Sequence, residues 1–239
     1  MIGEASSILV VGAHAFDAEV IAGPLAATAA QRGARVVLLH LSLGEQGHRS
    51  MSPERYAEQK RTEAAAAAVR LGATWRTFAF PDGFVPEGDD AALLLADVVR
   101  EVRPEVVITH WRGSWHKDHR AAFTLTTNGV FFAALPTLSR SAPAHRPEVL
   151  LFGENWEDDD EFRPDRLIDV SPGIDRWRSA IREYELARGL GSFPYEDYYS
   201  SLYRMRGCLA GTAYAQAFRT YPSTALGGVG QFLAPKPGR

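Results

Sequence analysis

The sequence predicts an α/β fold of the Rossmann-like, three-layer α/β/α type, with a mostly parallel sheet and a C-terminal helical extension. The apolar run 7–12 ends at Gly12, as expected of a strand that is covered on both faces. Residues 17–32 then carry apolar side chains at helical spacing, and a second apolar run follows at 36–43. Strand, helix and strand in this order form a βαβ unit with parallel strands. Because the alternation continues through residues 1–153, we predict a layered α/β sheet.

The next helix has the clearest boundaries in the sequence. Ser52 is a favourable N-cap residue, Pro53 suits the first helical position and Gly72 suits a helix C-terminus, so we predict a helix over 53–71. The same kinds of pattern predict strands at 74–80, 105–109, 149–152 and 166–170, and helices at 91–102, 118–134, 171–188 and 198–209.

The length of the chain and the lack of a linker in its sequence predict a single domain. A chain of 239 residues is long enough for one sizeable core, and no linker separates that core from the region that follows it. We assign residues 1–153 to the Rossmann-like core and residues 154–221 to the C-terminal extension. Residues 222–239 are rich in Gly and Pro, and we predict that they form a flexible tail.

The composition argues against several classes of protein. The chain has 46% hydrophobic and 23% charged residues, which is typical of a globular protein, and its formal net charge of -3 gives no support to nucleic acid or an anionic membrane as a partner. Cys208 is the only cysteine, the first residues do not resemble a signal peptide, and no apolar run is long enough to span a bilayer. We therefore expect a cytoplasmic protein that acts on a small molecule. Whether it forms a homo-oligomer stays open.

Two stretches place histidines and carboxylates where a predicted strand ends. His14 and Asp17 lie at the turn between the first strand and the first helix. His116 and His119 lie just beyond the strand 105–109. Open α/β sheets bind their ligands at such strand ends, and histidine with carboxylate is a common ligand set of catalytic zinc. A single histidine is more often an ordinary polar residue, but two clusters at equivalent strand ends favour a shared metal site.

Four short motifs follow one another along the chain. They are Ala13-His14-Ala15-Phe16-Asp17, Gly44-Glu45-Gln46-Gly47, Lys60-Arg61-Thr62-Glu63 before Leu71-Gly72, and His116-Lys117-Asp118-His119. In order and spacing, across residues 7–125, this set resembles the LmbE-like zinc hydrolases, also called the GlcNAc-phosphatidylinositol de-N-acetylase-like (PIG-L) family. Members typically show Ala-His-Pro-Asp-Asp-Glu, Gly-Glu-x-Gly, Arg-x-x-Glu before Leu-Gly, and His-x-Asp-His. Each motif alone is weak, whereas the ordered set is specific.

The resemblance implies a role for five residues. It implies that His14, Asp17 and His119 are zinc ligands. It implies that His116 stabilises an oxyanion or donates a proton, with Asp118 as its orienting partner. The fold, the bound zinc and an amide-hydrolysing activity are likewise implied by the resemblance.

One position departs from the family pattern. Phe16 stands where the family's deacetylases carry the aspartate taken as general base. A phenyl ring cannot accept a proton, so acid–base assistance worth about 10²–10⁴-fold would be missing unless another residue supplies it. Glu45 is our candidate, because it follows the second strand and should border the same crevice. The alternative is that Glu45 only accepts hydrogen bonds from backbone amides of its turn.

Phe16 also bears on the substrate, since an aromatic ring next to the metal makes the pocket more apolar. We predict substrate contacts from Phe16, Lys60, Arg49 and Trp115. A solvated surface position is the alternative for Lys60 and Arg49, and packing on the core is the alternative for Trp115. The acidic run 157–161 is expected to be a solvated loop.

Three functions are consistent with these residues. The first is a zinc-dependent hydrolase of the de-N-acetylase type, acting on an N-acyl small molecule or sugar conjugate without the usual base. The second is a zinc-dependent hydratase or lyase acting on an unsaturated carboxylic acid, as in some family members that also lack the aspartate. The third is a catalytically silent homologue that binds metal and a small ligand.

Overall fold

The computed structural model describes residues 5–158, 160, 162–190 and 193–221. Within these ranges the strands are β1 (Ser7–Gly12), β2 (Arg35–Ser42), β3 (Thr74–Phe80), β4 (Val106–His110), β5 (Val149–Gly153), β6 (Arg166–Asp169) and β7 (Ala215–Thr220). The helices are α1 (Asp17–Gln31), α2 (Pro53–Leu71), α3 (Asp89–Val102), α4 (Lys117–Ala133), α5 (Ile174–Ile181) and α6 (Tyr195–Ala210).

All seven strands of the described residues join one sheet, in the order β3-β2-β1-β4-β5-β7-β6. Strands β1 to β5 are parallel, and β7 pairs antiparallel with both β5 and β6. The strand order reverses between β1 and β4, which lie side by side. In open α/β sheets such a reversal opens a crevice at the carboxyl ends of the two strands. The predicted α/β fold with a mostly parallel sheet is confirmed.

The two faces of the sheet carry separate apolar cores. Ile8 and Val10 of β1 pack in the cluster formed with α1, α2 and α5. Leu9 and Val11 point to the other face and pack in the cluster formed with α3 and α4. Successive side chains of a strand alternate between faces, so an entirely apolar run such as β1 suits a strand buried on both sides. The sheet is therefore the middle layer of three.

Helix α2 confirms the boundary signals in the sequence. The Ser52 side chain accepts a hydrogen bond from the Arg55 backbone N–H, and Pro53 opens the helix. Gly72 ends it with φ of 76°, a left-handed conformation that glycine adopts without steric cost.

The C-terminal extension differs most from the prediction. The helix predicted over 171–188 is confined to α5, which ends at Ile181. The chain then turns so that Tyr184 enters the core, where its hydroxyl donates to the buried Glu19 carboxylate. The extension also adds β6 and β7 to the sheet, and β7 was not predicted. The tail predicted at 222–239 lies outside the described residues. Within the described part of the chain, every helix is too short or too polar to cross a bilayer.

Candidate metal centre

The first cluster is placed by the turn between β1 and α1. His14 lies in this turn, and Asp17 is the first residue of α1. The turn is tight: the Asp17 carboxylate accepts the His14 backbone N–H at 2.7 Å. A side chain at Gly12 would bring its Cβ within 2.6 Å of the Ala18 backbone nitrogen. A glycine at the end of β1 thus lets α1 start close enough to present both side chains above the sheet.

The second cluster is placed by the end of β4 and the start of α4. His110 is the last residue of β4, and His116 caps the N-terminus of α4. His119 follows in the first turn of the helix, nine residues after His110 in the sequence. Because β1 and β4 pair directly, the two clusters meet above the strand-order reversal.

Three of the predicted ligand atoms lie together. Asp17 Oδ2 is 3.1 Å from His14 Nδ1 and 3.3 Å from His119 Nε2. Tetrahedral coordination with bonds of about 2.0–2.1 Å separates ligand atoms by about 3.3 Å. Histidine nitrogen and carboxylate oxygen are also the donors that zinc commonly takes in catalytic sites. The donor types and the two distances to Asp17 therefore fit a zinc ion. Side chains close enough to share a metal also form the sets His14, His116, His119 and Asp17, His110, His119.

In His14 and His119, the ring nitrogen that points away from Asp17, here called the outer nitrogen, faces a carboxylate. His14 Nε2 lies 3.2 Å from oxygens of both Asp82 and Asp118. His119 Nδ1 lies 3.0 Å from Glu157 Oε2. Since a carboxylate can only accept, each of these nitrogens must carry a proton. The inner nitrogens face the Asp17 carboxylate and carry protons by the same rule. A bound metal would replace those inner protons, while each outer nitrogen keeps its own.

The electrostatic field of the site favours positive charge. Burial lowers the pKa of His14, but its contacts with carboxylates, Asp118 first among them, outweigh burial and hold that pKa well above its usual value. Burial opposes protonation of His119 too, yet Asp17 and Glu157 raise its pKa to about 9. Burial raises the pKa of Asp17, but the imidazoles around it, His119 first, hold that pKa well below its usual range. A divalent cation would be stabilised by the same carboxylates.

His116 is a neutral imidazole beside these groups. Burial, followed by the charges on His119 and His14, lowers its pKa. Its Nδ1 accepts the Asp118 backbone N–H at 3.2 Å, so its Nε2 carries the proton. His116 lines the cavity next to the ligand cluster. It can therefore donate a hydrogen bond to a substrate oxygen.

His110 lies beneath the cluster and is completely buried. Its Nε2 accepts the Ala13 backbone N–H at 3.0 Å, and its ring stacks on His119 with 4.1 Å between centroids. Burial, and then the charge on His119, lower its pKa to about 4. His110 is thus a neutral support for the ring of His119.

A cavity of about 220 Å³ opens next to the cluster. This volume is below the range of about 300–1,000 Å³ of pockets that enclose drug-sized ligands, so it suits a small molecule or one end of a larger one. Five of the lining residues are aromatic, and we call them the aromatic wall: Phe16, Tyr56, Trp156, Tyr195 and Tyr199.

Phe16 is held in an unusual backbone conformation. Its φ is 108°, which is rare for a bulky residue and costs about 1–3 kcal/mol where it occurs. Its ring is 3% exposed and packs edge-on against Tyr184 and Tyr195, with centroids 5.1 and 5.0 Å away. The side chain that replaces the family's carboxylate is therefore part of the aromatic wall.

Known proteins share both the sequence pattern and the fold. The PIG-L family model, described as GlcNAc-PI de-N-acetylase, matches residues 9–130. A 4-oxalmesaconate hydratase from Pseudomonas putida is 30% identical over 185 residues, which cover 74% of this chain and 72% of that protein. The chain belongs to the PIG-L family.

Other PIG-L relatives are named for a different reaction. A 1D-myo-inositol 2-acetamido-2-deoxy-alpha-D-glucopyranoside deacetylase from Acidothermus cellulolyticus is 32% identical over 231 residues, covering 74% of this chain and 78% of that protein. Among solved structures, GalB, the 4-carboxy-2-hydroxymuconate hydratase from Pseudomonas putida, aligns with a TM-score of 0.83 at 26% identity. The alignment covers 91% of this chain and 97% of that one. The relatives of this PIG-L chain thus include deacetylases and hydratases.

Of the predicted substrate contacts and the candidate base of this PIG-L protein, some line the cavity and others do not. Lys60 is 2% exposed and lines the cavity, so it is not on the solvated surface. Glu45 accepts hydrogen bonds from the Asp82 backbone N–H and the Ser42 hydroxyl, and does not line the cavity. Arg49 and Trp115 are exposed and do not line it either. The Trp115 side chain is 55% exposed, so it does not pack into the core.

Asp118 contacts a different histidine from the one that the resemblance implied. Its carboxylate is fully buried and lies against His14 rather than His116. It also accepts the Gly83 backbone N–H at 2.7 Å. Only the backbone N–H of Asp118 meets His116. The side chain of Asp118 therefore orients a predicted ligand.

Two carboxylates of the PIG-L site were missed from the sequence. Asp82 was not predicted as a site residue, although it follows β3 and so lies at the same edge of the sheet as the other site residues. The strand-end rule could have identified it. Glu157 was expected in a solvated loop, but its side chain is 11% exposed and faces His119. That expectation is wrong for Glu157, and no local sequence signal indicates the contact.

Proposed function

We propose that this PIG-L protein is a zinc-dependent hydrolase of the de-N-acetylase type, acting on an N-acyl small molecule or sugar conjugate. The observation that carries the proposal is the set of His14 Nδ1, Asp17 Oδ2 and His119 Nε2 at the edge of a cavity that His116 also lines. When bound, zinc would polarise the acyl carbonyl and make water more acidic. Relatives named as deacetylases support the amide-hydrolysing reaction.

His116 would act on the oxygen that gains charge as the acyl group is attacked. Its proton is on Nε2, because Nδ1 accepts the Asp118 N–H. A donor fixed in advance stabilises developing negative charge without having to reorganise during the reaction. The later transfer of that proton to the leaving nitrogen would be general acid catalysis.

Glu45 stays our candidate for the base that Phe16 cannot supply. Its two oxygens are held by the Asp82 N–H and the Ser42 hydroxyl, so it would have to exchange one of these partners for water. Catalytic hydrogen bonds are often incomplete before substrate binds. Asp82 lines the cavity, but its carboxylate faces His14 Nε2, on the side of the ring away from Asp17. We therefore assign Asp82 to the orientation of His14.

A hydratase acting on an unsaturated carboxylic acid is the second candidate. The aromatic wall next to Phe16 suits a flat, apolar skeleton. Lys60 Nζ lies over the rings of Tyr56 and Tyr184 and is 3.9 Å from the nearest oxygen of Glu63. An ammonium group that lines the cavity could bind a substrate carboxylate. The relatives named as hydratases agree with this alternative.

One assay separates the two reactions. Zinc-loaded protein would be incubated with a panel of N-acetylated sugars and small amides, and in parallel with unsaturated carboxylic acids. Acetate release that disappears in His116→Ala supports the hydrolase. Loss of the ultraviolet absorbance of the unsaturated acids, without acetate release, would replace it by the hydratase. If zinc is bound and both panels are inert, the protein is a binding homologue and the hydrolase proposal is wrong.

A further inference from the structure

A loop of the C-terminal extension contacts one of the proposed metal ligands. This loop, residues 155–158, follows β5 and carries Glu157. Glu157 Oε2 lies 3.0 Å from His119 Nδ1, and the side chain is 11% exposed. An acidic side chain is rarely buried unless it is paired. Here its partner is the outer nitrogen of a predicted zinc ligand.

We infer that Glu157 is a positioning residue, which fixes the ring and tautomer of His119 and so strengthens metal binding at His14, Asp17 and His119. The inference rests on the proposed metal centre. A carboxylate that accepts from Nδ1 keeps the proton there and leaves Nε2 as the ligand atom. Its negative charge also makes the imidazole a better electron donor, so the charge and the hydrogen bond act in the same direction.

The backbone around Glu157 is built to hold this contact. The Glu157 N–H donates to Asn155 Oδ1 at 3.2 Å, and its carbonyl accepts the Trp115 N–H at 3.1 Å. Asp158 Oδ2 accepts the Asn155 N–H at 2.8 Å, which closes the turn from the other end. The Tyr199 hydroxyl donates to Asn155 Oδ1 at 3.2 Å and thereby joins the turn to α6. Four contacts thus fix the loop independently of the Glu157 side chain.

Ser114 is the competing partner. Its hydroxyl oxygen lies 3.2 Å from His119 Nδ1 and also accepts the His116 backbone N–H. A neutral hydroxyl is the weaker acceptor, because hydrogen bonds to charged groups are roughly twice as strong as neutral ones. We assign the main contribution to Glu157, and Ser114→Ala should weaken metal binding less than Glu157→Ala.

The test is a competition titration of zinc between a chelating dye and each purified, metal-stripped protein at fixed pH. Loss of an outer partner typically weakens metal binding by about 10–100-fold. Glu157→Ala should fall at the upper end of that range. Glu157→Gln keeps an acceptor but not the charge, so about a 10-fold loss is expected. Asp160→Asn is the matched control, because it removes the same charge from an exposed side chain of the same acidic run.

A second measurement distinguishes a change at the metal ligands from a general change in the fold. Cobalt(II) replaces zinc, and its visible absorption reports the geometry of the ligands. Altered bands in both Glu157 variants, with circular dichroism like that of the wild type, support the inference. It is overturned if both variants bind zinc as tightly as Asp160→Asn, or if Ser114→Ala causes the larger loss. Should wild-type protein itself bind no zinc, the proposed metal centre fails, and this inference fails with it.

Discussion

The Rossmann-like core and the C-terminal extension contribute different things to one site. The core supplies the proposed ligands and His116, all within nine residues of a strand end. The extension supplies Glu157 and most of the aromatic wall, including Tyr195 and Tyr199. The residues that would hold metal thus lie in the core, whereas most of the aromatic residues that line the cavity lie in the extension. Substitutions in the extension can alter the cavity while leaving the ligands in place, as expected of a family whose relatives carry different activities.

The two parts are also held by different kinds of contact. His14 and Asp17 are fixed by a hydrogen bond between residues three apart. The extension is fixed by contacts between residues far apart in sequence, such as the hydrogen bond from Tyr184 to Glu19. This short-range contact makes the placement of His14 and Asp17 a local property of the core, whereas His119 also contacts Glu157 of the extension. The geometry of the wall depends on the docking of the whole extension.

Removing a ligand from the core should have the largest effect. His119→Ala deletes the nitrogen next to Asp17, so zinc binding should weaken by more than the roughly 10–100-fold typical of outer partners, and turnover should be lost. Isothermal titration with zinc measures the affinity. His145→Ala is the control, because the His145 ring hydrogen-bonds the Pro104 carbonyl and lies outside the cavity lining. Equal zinc affinity in the two variants would exclude His119 as a ligand.

Phe16 belongs both to the core and to the aromatic wall. An aspartate at this position tests whether the lack of a base limits the reaction. If the protein hydrolyses amides, Phe16→Asp should raise the rate of acetate release by about 100-fold, within the usual range for acid–base catalysis. Aspartate also tolerates a positive φ better than phenylalanine. Phe16→Asn is the matched control, with the same shape but no base. A rate in Phe16→Asp no higher than in Phe16→Asn would show that the absent carboxylate does not limit the reaction.

The core was predictable from the sequence because its signals are local. The bounds of β1 and α2 match the prediction, since a buried apolar run and a pair of caps depend on neighbouring residues only. The gathering of His14, Asp17 and His119 follows from one rule about strand ends. By contrast, β7 exists only because β5 and β6 lie on either side of it. The contact of Glu157 with His119 likewise joins positions 38 residues apart, and neither position contains a signal of the other.

Weakening the packing of the extension on the core should lower the free energy of unfolding moderately and leave the proposed ligands in place. Tyr184→Phe removes the hydroxyl that donates to Glu19 Oε1 at 2.7 Å in the buried core. An acceptor left without its donor costs about 1–3 kcal/mol, so the free energy of unfolding should fall by that amount. Urea denaturation measures it, with Tyr198→Phe as the control at a ring that is 38% exposed. A zinc affinity reduced as much as in His119→Ala would contradict the separation of core and extension.

The smallest effect concerns Asp158, next to Glu157 in the extension, and it is seen in the pH dependence of stability. Burial raises the pKa of Asp158 to about 7. A carboxyl whose folded pKa lies above its unfolded value of about 3.9 binds more protons in the native state, so its contribution to stability is lost as the pH rises through about 7. Asp158→Asn cannot ionise and can still accept the Asn155 N–H through its amide oxygen. Its melting temperature should therefore rise relative to that of the wild type between pH 5 and pH 8, whereas the exposed Asp160→Asn should show no such trend. A difference that stays constant with pH would show that Asp158 does not titrate in this range, and that the turn holding Glu157 does not weaken with rising pH.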